Sequence, residues 1–166
     1  MNLDLTVYYK GMHSDTSSMV VIGEVHPKIK HLINIAQKAL YVGISQCKPG
    51  NALSCIVKKI EQFILKQKLH IVKEFCGHGI GEEIHMLPII NHYYKNSDDK
   101  IIMKEGMIFT IEPIICLNSN YSLYLLNDKW SVFSPNNPSA QFEHTILITK
   151  QGYEILTKRN NETILI

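Results

Sequence analysis

The chain has 166 residues, 45% hydrophobic and 19% charged, which fits one globular domain and excludes intrinsic disorder. Seventeen Lys+Arg against fifteen Asp+Glu leave a formal charge of +2, without the basic footprint of a nucleic-acid binder. No apolar run reaches the roughly 20 residues of a membrane helix.

The alternation Asn2-Leu3-Asp4-Leu5-Thr6-Val7-Tyr8-Tyr9 predicts a half-buried strand from the first residues onward, with none of the layout of a targeting segment. Lys10-Gly11 supplies a turn, and Met12 to Ile22 reads as the returning strand of a hairpin. Gly23 to Pro27 breaks that pattern. Ile29, Leu32, Ile33, Ala36, Leu40 and Gly43 then recur at helical spacing, and Lys48-Pro49-Gly50 is the expected stop. Asn51 is the expected N-cap of a second helix with the stripe Leu53, Ile56, Val57, Ile60 and Ile64. Its lysine-rich opposite face reads as solvated, or as a site for an anionic partner.

His70 to Phe75 reads as a strand, followed by Gly77-His78-Gly79-Ile80-Gly81. His85 to Lys100 looks like loop. Met107–Cys116, Tyr121–Leu126, Trp130–Phe133 and Phe142–Thr149 read as strands between turn clusters. Two strands, two helices and then mostly strands predict an α+β fold with antiparallel pairing. Four cysteines, none in a C-x-x-C pair, are expected to be reduced thiols of an intracellular protein. Cys76 lies two residues from His78, which leaves a thiol nucleophile open.

Acids are depleted in strands, yet Asp4, Glu112 and Glu143 each sit within an apolar strand pattern, and Asp15 lies on the strand returning beside Asp4. Taken singly, each reads as a solvent-facing residue. Taken together with His78, they also fit a convergent cluster. Four converging carboxylates repel one another, and two divalent cations would balance −4 with +4. Oxygen ligands with one imidazole suit Mn, Fe, Co or Zn. A pair of such ions about 3.5–4 Å apart acidifies a shared water, and the reaction class is then metal-assisted hydrolysis.

Phe75-Cys76-Gly77-His78-Gly79-Ile80-Gly81, with His85, Ile90, His92 and Tyr93 beyond it, resembles the signature stretch of type I methionine aminopeptidases. Asp4 and Asp15, Thr110-Ile111-Glu112-Pro113 and Gln141-Phe142-Glu143-His144-Thr145 resemble that family's other ligand segments, in family order. The resemblance runs from Asn2 to about Arg159. It implies two divalent ions, with Asp4 on one, His78 and Glu112 on the other, and Asp15 and Glu143 bridging both. It also implies Glu112 as acid/base near the shared water. His85 would bind the scissile peptide or the oxyanion, with a purely structural loop histidine as the alternative. Trp130 would be a pocket wall, with plain core as the alternative. His144 should face away from the metals.

The implied fold is the pita-bread α+β architecture, here incomplete: the central hairpin, two helices and the C-terminal antiparallel sheet. Residues 1–166 are expected to be a single catalytic domain, truncated at the N-terminus relative to the family. The family's preceding segment carries part of the methionine pocket and a further substrate-contacting histidine. Met86-Leu87 replaces the family's usual acidic pair. The implied substrates are nascent polypeptide N-termini, with no nucleic acid or membrane partner, in the cytoplasm or alternatively an organelle. An inactive fragment or binding module of the same fold is the competing expectation. A pita-bread peptidase acting before proline is a third.

Overall fold

The computed structural model describes residues 1–160 and 162. Strands β1 (Asn2–Tyr9) and β2 (Met12–Met19) form an antiparallel ribbon in unbroken register from Asn2–Met19 to Tyr9–Met12. The two turn residues, Lys10 and Gly11, both have positive φ, 49° and 87°. A two-residue turn of that hand matches strand twist, and glycine enters it without steric cost.

Helix α1 (Pro27–Ile44) starts with proline in its first turn, and the His26 ring accepts the Lys28 N–H. The expected stop at Lys48-Pro49-Gly50 comes late, since the helix ends at Ile44. Helix α2 (Ser54–Lys66) follows. Asn51 is not its N-cap; Leu53 is, with no side-chain cap bond. Asn51 instead accepts the Met103 N–H at 2.8 Å, and Ala52 bridges Ile102, so this backbone is committed to a strand-like pairing.

Strands β3 (His70–Ile71), β4 (Gly77–Gly79) and β5 (Met86–Ile90) come next. Strand β5 and a 3-10 turn at Asn96–Lys100 occupy the segment expected to be loop. The predicted strand 107–116 is two strands, β6 (Ile108–Ile111) and β7 (Ile114–Cys116), parted at Glu112-Pro113. Strands β8 (Tyr124–Leu125) and β9 (Val132–Phe133) make a short hairpin. The last predicted strand, 142–149, is β11 (His144–Ile148), while β10 (Ser139–Gln141) ahead of it and β12 (Tyr153–Ile155) after it are unforeseen.

The sheets are antiparallel, in the orders β12-β11-β6-β4-β5 and β10-β7-β3. Two paired segments pass from one sheet to the other. His144 pairs with Ile111 before the break, and Gln141 pairs with Ile114 after it. Glu112 and Glu143 stand at this shared corner. Pro113 has no N–H to offer a ladder, which favours a break there. Helix α1 packs on α2 and over β10 and β7. The core joins Leu32, Leu40, Ile56 and Ile60 to Phe109, Ile111, Ile115 and Ile146. Among the described residues, no helix is long and apolar enough to cross a membrane.

Candidate metal centre

Asp15 enters the site from β2, only 7% exposed. Its N–H donates to Thr145 Oγ1 at 3.1 Å, and the Thr145 hydroxyl donates back to Asp15 O at 2.7 Å. Thr6, opposite it in the ribbon, donates to Asp15 Oδ1 at 3.1 Å. Asp4 lies opposite Ser17, two residues along the same face. It is exposed, and partial desolvation together with the Asp15 charge raises its pKa.

Glu143 is 2% exposed. Its N–H donates to Ser17 O at 3.1 Å, and its carbonyl accepts the Thr16 hydroxyl at 2.9 Å. Burial, then the charges of Glu112, Asp15 and Asp4, push its carboxyl well above the ordinary range. Glu112 is raised as well, chiefly by burial, with Asp15 and Asp4 adding to it. Thr110 Oγ1 donates to Glu112 Oε1 at 2.8 Å and Gln141 Nε2 to Oε2 at 3.1 Å. The Glu112 N–H donates to His92 Nε2 at 3.1 Å. Burial pushes His92 down to about 3, so it is a neutral acceptor.

His78 reaches the cluster because its flanking residues have no side chain. A Cβ on Gly77 would stand 2.4 Å from Thr110 O, and one on Gly79 2.3 Å from Leu87 O. The backbone around His78 is tight because a neighbouring chain segment lies close on each side. His78 Nδ1 lies 3.0 Å from Gly79 O. A carbonyl only accepts, so Nδ1 carries the proton and Nε2 presents its lone pair. That lone pair faces Glu112 Oε1 at 3.6 Å and Asp15 Oδ2 at 4.0 Å. Burial lowers the His78 pKa, which favours the neutral, ligating form.

One donor atom each from Asp15, His78 and Glu143 lies within 4.8 Å of the others. This chemistry fits divalent metal. Acids that hold protons because they are buried and crowded would release them to a cation, and the imidazole already has the ligating tautomer. The five predicted ligands therefore divide by position: three converge, Glu112 flanks them on the His78 side, and Asp4 stands at the open edge beside Asp15.

The cluster floors a cleft of about 1140 Å³, which His85, Met86, Leu87 and Trp130 also line. The His85 ring stands edge-on to His78, centroids 4.5 Å apart, and is exposed to the cleft. Trp130 is 86% exposed, so the core alternative does not hold. The Cys76 thiol is raised by burial and by Glu112, the reverse of what a thiolate nucleophile needs. His144 points away from the cleft, as expected, onto Tyr41 and Thr157.

The sequence model of metallopeptidase family M24 matches residues 1–150. The chain belongs to that family. This M24 chain is 44% identical over 161 residues to methionine aminopeptidase 1D, mitochondrial, of Dictyostelium discoideum, covering 95% of the chain and 39% of that relative. It superposes on a methionine aminopeptidase from Rickettsia prowazekii with a TM-score of 0.88 and 40% identity, over 95% of the chain and 63% of the other. A prolidase from Pyrococcus furiosus superposes with a TM-score of 0.72 and 27% identity, over 96% of the chain and 41% of the other. The chain thus spans less than two thirds of the length of these relatives, and the pita-bread fold is the architecture it shares with them.

Sequence reading did not single out Thr6, Thr110, Gln141 and Thr145 as parts of the M24 site. A signal was there. Each lies two residues from an acid, in Asp4-x-Thr6, Thr110-x-Glu112 and Gln141-x-Glu143-x-Thr145. Period two places such residues on one face of a strand.

Proposed function

We propose that this chain carries the metal centre of a methionine aminopeptidase, with residues 1–166 acting as one catalytic unit on nascent polypeptide N-termini. The observation that supports it most is the convergence of Asp15, His78 and Glu143 within 4.8 Å. Asp15 and Glu143 would face two divalent ions, His78 and Glu112 one of them, and Asp4 the other. Ions held there would supply Lewis acidity and acidify water.

The side chains divide the remaining work. Glu112, held through both oxygens by Thr110 and Gln141, takes the proton of the attacking water. It delivers that proton to the amine nitrogen as the C–N bond breaks. His85, free on the cleft wall, donates to the carbonyl oxygen that gains charge. Trp130 and Ile84 offer apolar surface to the first side chain of the substrate. A Met-Ala-Ser peptide incubated with the chain and Mn²⁺ or Co²⁺ should lose its methionine, while an X-Pro peptide should stay intact. Glu143→Ala should abolish the metal-dependent cleavage. Cleavage of the X-Pro peptide alone would move the assignment to a proline-directed peptidase.

A second reading, a binding module without turnover, is favoured by the outer face of β1. Leu3, Leu5, Val7 and Tyr9 are 44 to 68% exposed there, so that side of the ribbon is uncovered. Metal uptake without cleavage of Met-Ala-Ser is the outcome that reading expects. The proposed location is the cytoplasm, with an organelle as the alternative, and fractionation of cells expressing the tagged gene tests it.

A further inference from the structure

The two acids assigned to face both ions are held from behind by a reciprocal lock. Thr16, next to Asp15, donates to the carbonyl of Glu143 at 2.9 Å. Thr145, two residues past Glu143, holds both backbone groups of Asp15. Outside this lock lies a single planar fork. Arg159 Nη1 donates to Thr16 Oγ1 at 3.0 Å, and its Nη2 donates to Glu162 Oε1 at 2.8 Å. Glu162 in turn lies 3.1 Å from the Nε2 of His144, the residue between Glu143 and Thr145. The Thr16 hydroxyl therefore accepts from Arg159 and donates to Glu143, which fixes its orientation.

The sequence adds an independent observation. Of its 17 basic side chains 16 are lysine, and Arg159 is the one arginine. A lysine is a point charge with no fixed fork, whereas a guanidinium places two donors at a set spacing. In a chain that uses lysine everywhere else, the arginine stands where two acceptors must be held together.

We infer that Arg159 is a positioning residue for the metal centre, fixing Asp15 and Glu143 through Thr16 and anchored by Glu162. The inference rests on the metal-centre reading above, and calorimetric titration of the 166-residue chain with Mn²⁺ separates the two. Arg159→Lys and Arg159→Met should each weaken Mn²⁺ binding by about 10- to 100-fold, the range for ligand-orienting partners. Thr16→Val, which removes only the relaying hydroxyl, should do the same, and adding Arg159→Lys to it should cost little more. Thr16→Val also serves if Arg159→Met does not fold. A merely structural arginine would lower the metal-free melting temperature and leave the affinity of the folded fraction unchanged. That pattern overturns the inference, as does full rescue by lysine, because charge alone would then suffice. A wild-type chain that takes up no Mn²⁺ overturns the metal-centre reading and this inference with it.

Discussion

The two strands of the N-terminal ribbon carry one acid each and have the same length, yet they stand in different surroundings. Strand β2 lies against β11 and β10, so Asp15 and Ser17 are buried. Among the described residues strand β1 pairs only with β2, and seven of its eight residues are exposed, Asp4 among them. A carboxylate that a neighbouring strand holds through its backbone is fixed before a cation arrives. One at an open edge has to be ordered by the cation itself, at some entropic cost. The same residue type at the same kind of position should therefore contribute unequally.

Substitution of these two acids gives the largest expected difference. Asp15→Asn should weaken Mn²⁺ binding more than about 100-fold, beyond the range of ligand-orienting partners. Asp4→Asn should weaken it by only about tenfold, because its charge is already partly screened by water. Equal losses in calorimetry would mean that Asp4 is as firmly placed as Asp15, and the contrast between the strands would fail. Gly77→Ala tests the other side of the site. Its new methyl would meet the Thr110 carbonyl at 2.4 Å, and backbone has little room to yield. A loss of about 1–3 kcal/mol in urea unfolding is expected, the range for overpacking. The same change at Gly11, where nothing lies within 4 Å, should cost less and only through its positive φ.

This contrast also marks what the sequence could convey. The ribbon, its turn and both helices were legible, because alternation and helical spacing are local signals. The acids were legible as misfits in apolar strands. Which strand is covered was not, since burial of β2 comes from Thr145 and Glu143, more than a hundred residues away. The break at Glu112-Pro113 and strand β10 ahead of Glu143 were missed for a related reason. Segment 107–116 is mostly apolar and Ser139–Gln141 mostly polar, and only their pairing across two sheets reveals the corner. Strand β5 went unseen because Met86, Leu87 and Ile89 are exposed to the cleft, so its pattern lacks an alternating buried face.

A smaller effect follows from the protons held by the crowded acids. Glu112 and Glu143 keep their protons above the ordinary glutamate value of 4.5, and Asp4 is shifted the same way. The native state then binds more protons than the unfolded chain, so stability falls as pH rises. His78, His92 and His144 are lowered and act with the opposite sign, but only below the ordinary histidine value of 6.5. The raised thiols act only from about the ordinary cysteine value of 9.0 upward. Between pH 6.5 and 9 the acids alone remain. The metal-free chain should lose up to about 1.4 kcal/mol per pH unit for each proton retained. Saturating Mn²⁺ should flatten that slope, since bound cations replace the protons. A metal-free unfolding free energy that rises across this window would mean that the acids are already ionised and not crowded.

The smallest effect is expected at Leu5, and it bears most directly on the exposed strand. Leu5 is 63% exposed on the outer face of β1, between Leu3 and Val7. Leu5→Ser removes apolar surface that water already touches. Urea unfolding of the dilute chain should change by less than about 0.5 kcal/mol, as at other surface positions. The same substitution at Ile146, fully buried in β11, removes contacts that nothing replaces and should cost more than about 2 kcal/mol. If Leu5→Ser also costs more than about 1 kcal/mol, the outer face of β1 is covered in solution. Repeating the measurement across a tenfold range of protein concentration then identifies the cover. A cost that grows with concentration belongs to a second copy of the chain, because only an association equilibrium responds to mass action.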